Sequence, residues 1–123
     1  MGKLQIKRAY EKTEPSDGKR VLVDRMWPRG IKKEKLPLAL WEKEIAPNNE
    51  LRKEFGHDPE KFPWFEKEYK KELDKNEKIE DFVKQIEEWL KDNNVTLIYG
   101  AKDRENNQAV VLKNYLLQRV ESQ

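Results

Sequence analysis

At 123 residues and 14.8 kDa the chain is sized for one domain spanning 1–123, long enough to bury a core without staples. Charged residues make up 41%, yet 26 Lys and Arg stand against 24 Asp and Glu, so the net charge of +2 argues against a dedicated polyanion binder. With no cysteine, disulfides, thiolate metal sites and cysteine nucleophiles are excluded.

The opening MGKLQIKRAY lacks the apolar run of a signal peptide, and no stretch approaches a membrane span. A cytoplasmic protein without a membrane partner is therefore expected. Leu4–Tyr10 alternates apolar and polar residues and predicts a strand. Glu14–Gly18 is a loop or turn. A second strand, Arg20–Arg25, is near-continuously apolar in its first half, as befits a strand covered on both faces. Met26–Pro37 is a loop punctuated by Pro28, Gly30 and Pro37 and crowded with lysines.

Leu38–Ala46 fits either a short third strand or a helical turn, and the strand is preferred. Asn48 caps a brief helix that pairs Leu51 with Phe55 and closes at Gly56. Asp58-Pro59 begins another, with Phe62, Phe65, Tyr69 and Leu73 on one face; Pro63 either distorts its first turn or marks its start. Glu77–Lys91 is the strongest helix, its buried stripe running through Ile79, Phe82, Val83, Ile86, Trp89 and Leu90. Val95–Gly100 is a buried strand and Asn107–Val120 a last helix. The order predicts an α/β fold: a single layered domain with a small, mainly parallel sheet flanked by helices. If Val21–Val23 and Val95–Ile98 are parallel neighbours, their polar endings share the carboxyl edge where α/β sheets bind ligands.

Four stretches, DRMWPRGIKKEKL (24–36), LWEKEIAP (40–47), LRKEFGHDPEKF (51–62) and AKDRENNQAVVL (101–112), resemble the YeaO-like family over nearly the whole chain. The match rests on several unusual words in order. It departs at Asn48, where serine is expected, and at Gly100 and Asn106. The family is a domain of unknown function, so the resemblance implies motif positions and no reaction. Those positions include Asp24, Arg25, Trp27, Arg29, Lys33, Trp41, Lys43, Arg52, His57, Lys102, Asp103 and Asn107.

The residues themselves point to a charged site between the 24–30 and 101–107 loops. Asp24 and Asp103 each follow an inner strand. Together they suit proton or divalent-metal work, or else each is an ion-pair partner of a neighbouring Arg or Lys. Arg25, Arg29, Lys33, Lys43, Arg52 and Lys102, with Asn107, are the candidate anion ligands, since guanidinium forks suit phosphate and carboxylate. His57, the only histidine, is either an acid–base group or a turn residue. One histidine and no cysteine make zinc unexpected, and Ser16 and Ser122, the only serines, offer no triad. Trp27 and Trp41 either stack on a ligand ring or pack beneath the site.

Two functions compete ahead of a third, a protein-interaction domain, whose signature would be a large exposed apolar patch. The first is a small enzyme or binder acting on an anionic, phosphate- or nucleotide-like molecule. The second is a nucleic-acid-binding or regulatory module using the basic loop with Trp27 and Trp41. Metal, cofactor, reaction and oligomeric state are not specified by the sequence.

Overall fold

The computed structural model describes residues 2–121; Ser122 lies outside them. Strands β1 (Leu4–Arg8), β2 (Lys19–Leu22), β3 (Leu40–Trp41) and β4 (Val95–Tyr99) form one sheet in the order β1-β4-β2-β3. Every pairing is parallel, so the expected mainly parallel α/β sheet is parallel throughout. The two apolar strands β2 and β4 are the inner pair, Val21 facing Leu97 and Leu22 facing Ile98. All five residues of β4 are buried, which is why VTLIY carries no alternation.

The two sheet faces are covered differently. Leu4, Val21, Val23, Val95, Leu97 and Tyr99 meet helices α1 (Asn49–Phe55), α2 (Phe62–Lys75), α3 (Ile79–Leu90) and α4 (Gln108–Glu121) in one core. Each fully buried large apolar side chain there contributes about 1.5–3 kcal/mol relative to exposure. Among the described residues, no α-helix contributes to the cluster on the opposite face. Ala9, Leu22 and Ile98 pack under Leu36, Ile31, Leu38, Trp27 and Trp41, so the proline-rich loop is itself the second cover.

Caps set several boundaries. The Asn48 side chain accepts the Leu51 N–H, and Gly56 ends α1 in the left-handed region. Asp58-Pro59 starts a 3-10 turn, Pro59–Lys61, rather than α2 itself. Pro63 then falls in the first turn of α2, where its missing N–H costs no hydrogen bond. The first strand stops at Arg8, two residues short of the expected Tyr10, where the chain turns: the Glu11 N–H donates to Arg8 O at 3.1 Å and the Glu11 carboxylate accepts the outward Arg8 N–H at 2.8 Å. β2 is also shorter than Arg20–Arg25, although the Val23 N–H still reaches Ile98 O at 3.0 Å. The ambiguous 38–46 segment splits into the two-residue β3 and a 3-10 turn, Lys43–Ile45.

A buried ionic knot lies away from the carboxyl edge. Asp17 and Arg20 are almost wholly buried and paired, and Lys7 reaches Asp17 at 2.7 Å. Burial pushes the Asp17 carboxyl up, but hydrogen bonds from Lys7, the Glu14 N–H and Arg20 outweigh it and hold it below 3.8. Thr96 Oγ1 donates to Asp17 O at 2.7 Å, tying the knot to β4. Among the described residues no helix is long and apolar enough to cross a membrane.

Candidate functional site

Parallel pairing of β2 with β4 brings two chain exits together. After Val23 the backbone leaves the sheet at Asp24; after Tyr99 it leaves at Gly100. The Gly100 N–H donates to Asp24 Oδ2 at 2.8 Å, and the Gln108 side-chain amide, at the start of α4, donates to Oδ1. A Cβ at residue 100 would stand 3.0 Å from Asp24 Oδ2, so the close approach favours glycine there. Burial pushes the Asp24 carboxyl up to about 6, even though the Gly100 N–H, the Gln108 amide and the charges of Arg52 and His57 all draw it down.

Asp24 lies in the wall of a cleft of about 460 Å³, within the size range of small-molecule sites. Arg25, Arg29, Arg52, Lys53 and His57 supply its charge, and Trp27, Phe55 and Phe65 its apolar wall. α1 carries Arg52 and Lys53. The turn after α1 carries His57, which shares the left-handed backbone of Gly56, with φ of 57° and 55°. Histidine tolerates this conformation better than most residues, and the double left-handed turn brings its ring within 6.2 Å of Phe55.

The three arginines are not equivalent. Arg25 is tied down: its Nη2 donates to Ala46 O at 3.0 Å and its Nε to Pro47 O at 3.4 Å. Among the described residues, Arg29 and Arg52 have no side-chain hydrogen-bond or ion-pair partner, although the positive charge of Arg52 acts on Asp24.

Of the expected site residues, Asp24, Arg25, Arg29, Arg52 and His57 are brought together. Asp103 does not line the cleft. Its Oδ1 accepts the N–H groups of Glu105 and Asn106 at 2.9 and 3.0 Å, and its Oδ2 accepts the Asn106 amide at 3.0 Å. The Asn106 amide and these two N–H groups hold Asp103 below its ordinary value, and the charge of His57 adds to the effect. The charge of His57 thus acts on both carboxylates.

Asn107 is fully buried, capping α4 through the Val110 N–H at 3.1 Å and donating to Asp103 O at 2.8 Å. Lys33 and Lys102 are exposed and outside the cleft, and Lys43 Nζ stands 4.8 Å from the Trp41 ring centroid. Among the described residues, no group of three or more His, Asp or Glu is arranged to hold a metal ion.

Trp27 and Trp41 both have internal work. Trp27 Nε1 donates to Ile31 O at 2.6 Å and Trp41 Nε1 to Asp24 O at 2.8 Å. Their rings meet edge to face at 5.5 Å. Sequence reasoning missed Gln108, Lys53 and Tyr10 as participants. A glutamine opening the last helix beside the strand exit was the available signal for Gln108; Tyr10 had none, being placed inside a strand.

Residues 3–123 match the family described as the inactive DUF488-N3 subclade. The chain is 43% identical over 113 residues to the uncharacterized protein YeaO of Escherichia coli (strain K12), covering 92% of this chain and 96% of that protein. Uncharacterized proteins of Mycobacterium bovis and Mycobacterium tuberculosis are each 45% identical over 71 residues, 58% of this chain and 60% of theirs. No solved structure matches. The expected YeaO-like kinship therefore holds, and the chain belongs to the inactive DUF488-N3 subclade.

Proposed function

We propose that the chain is a one-domain cytoplasmic protein that binds an anionic small molecule, phosphate-bearing or nucleotide-like, in the cleft beside Asp24. The observation that carries this reading is the contrast among its arginines. Arg25 is spent on backbone carbonyls, while Arg29 and Arg52 line the same hollow with no partner for their forks among the described residues. A guanidinium held in a concave, partly apolar site is a ready bidentate donor to a phosphate or carboxylate. Phe55, Phe65 and Trp27 give the rest of the cleft the apolar wall that an organic ligand needs.

Binding is favoured over catalysis. Both oxygens of Asp24 already accept hydrogen bonds, and the family description calls the subclade inactive. In this reading Asp24 holds the cleft's shape and balances the charge of Arg52, and His57 is an additional anion ligand.

A thermal-shift series with inorganic phosphate, AMP and a dicarboxylate tests it. A ligand at 100 times its Kd stabilises the fold by about 2.7 kcal/mol. The stabilisation should disappear in Arg29→Ala and in Arg52→Ala while their unliganded melting stays near wild type. An unchanged melting temperature with every anion in the wild-type protein would remove the proposal.

A further inference from the structure

The cleft does not stand alone. A second hollow of about 600 Å³ is lined by Tyr10, Glu11, Lys12, Gly30, Lys32 and Lys35 among others, and Tyr10 lines both. Four lysines and arginines face the cleft and three face the second hollow, against one acid in each, Asp24 and Glu11. Glu11 is itself engaged by Arg104 at 2.9 Å. Most of what the two hollows present is therefore positive, in a chain whose net charge is only +2. The excess is gathered on one side of the carboxyl edge.

Tyr10 is the unusual element of this surface. It is 48% exposed, one of the few large hydrophobic side chains left open. It is nevertheless fixed in place. Its hydroxyl donates to Arg29 O at 2.9 Å, and the Arg8 guanidinium lies over one face of the ring, 4.9 Å from the centroid, so a base would stack on the other face. Arg8 is in turn anchored at Ala101 O, 2.7 Å away, on the rim of the cleft. An aromatic ring held rigid, half open and flanked by basic hollows has the makings of a stacking platform between two phosphate-binding stations. Trp27 and Trp41 are poorer candidates, since both indole N–H groups have backbone acceptors and the two rings pack edge to face on each other.

We propose that a short single-stranded nucleic acid lies across the two hollows, one base stacked on Tyr10, its phosphates shared between Arg29 and Arg52 on one side and Lys32 and Lys35 on the other. The inference rests on the reading of the cleft as an anion site and extends it to a polymer. A single strand is favoured over a duplex because the ring needs an open base face, which a stacked helix does not offer. RNA and DNA share this chemistry.

The test is fluorescence anisotropy with labelled ten-nucleotide single strands of RNA and of DNA, beside a duplex and a linear inorganic polyphosphate. With about three to four phosphate contacts, affinity should fall roughly 20- to 50-fold between 50 and 200 mM salt. Tyr10→Leu should weaken single-strand binding about tenfold and leave polyphosphate binding unchanged, whereas Tyr10→Phe should retain most of the affinity. Lys32→Glu/Lys35→Glu should weaken both polyanions. Stronger binding of RNA than of DNA, or the reverse, identifies which strand is the ligand and supports the proposal either way.

Equal binding of duplex and single strand would overturn it, as would indifference to Tyr10→Leu. If AMP or phosphate stabilises the protein but no oligonucleotide binds, the inference falls and the small-anion cleft stands. If no phosphate compound binds at all, both fall.

Discussion

At Asp24 the burial that lifts the carboxyl to about 6 also links folding to pH. The ordinary value, 3.8, applies to the unfolded chain, so between the two values the folded state holds this proton more tightly. Stability from this group is complete below 3.8 and lost as pH rises through about 6. The amount is on the order of 1–3 kcal/mol. Asp24→Asn should flatten this segment, and urea melts of both proteins at pH 4, 5 and 7 check it. Equal slopes would mean that the carboxylate is not desolvated by the cleft. Gly100 belongs to the same argument. With a Cβ only 3.0 Å from Asp24 Oδ2, Gly100→Ala should cost about 1–2 kcal/mol. Most of that cost should vanish in an Asp24→Ala background, and a double-mutant cycle would measure the coupling.

The short helix α1 carries both Arg52 and Lys53, and its N-terminus decides where they point. Asn48 accepts the Leu51 N–H at 2.8 Å, while its backbone and side-chain N–H groups donate to Glu72 of α2 at 3.0 and 2.7 Å. Asn48→Ala should cost about 1 kcal/mol from the cap alone. It should also weaken anion binding through Arg52, which chemical denaturation and calorimetry on the same variant would separate. Such a cap is legible in sequence because it depends on neighbours three residues apart, and the same holds for Gly56 and for the 3.6-residue stripe of α3. The strand ends were less legible. β1 stops where the chain turns back, the Glu11 N–H donating to Arg8 O and the Glu11 carboxylate accepting the Arg8 N–H, and β3 ends at Trp41 because the chain passes into the Lys43–Ile45 turn. Side-chain contacts of that kind leave no periodicity.

Over the whole molecule the sheet has helices on one face and a proline-punctuated loop on the other, and the cleft opens where the two covers meet the carboxyl edge. The sequence carries the inner pairing of β2 with β4 in two apolar runs, and from that pairing the meeting of Asp24 with the 100–108 segment follows. It does not carry the part played by α1. Nothing local to Arg52 or His57 indicates that a seven-residue helix and its left-handed turn will bring them beside Asp24. Nor does it separate Asp24, half-buried in the cleft, from Asp103, engaged by its own turn. The most direct test of the cleft as an anion site is a titration of the isotopically labelled protein with AMP, followed residue by residue through backbone amide NMR shifts. Saturable shifts should cluster at 25–29, 52–57 and 100–101 and disappear in Arg52→Ala. Shifts that never saturate, or that gather on the acidic hollow around Glu50, Glu54 and Glu68, would contradict it.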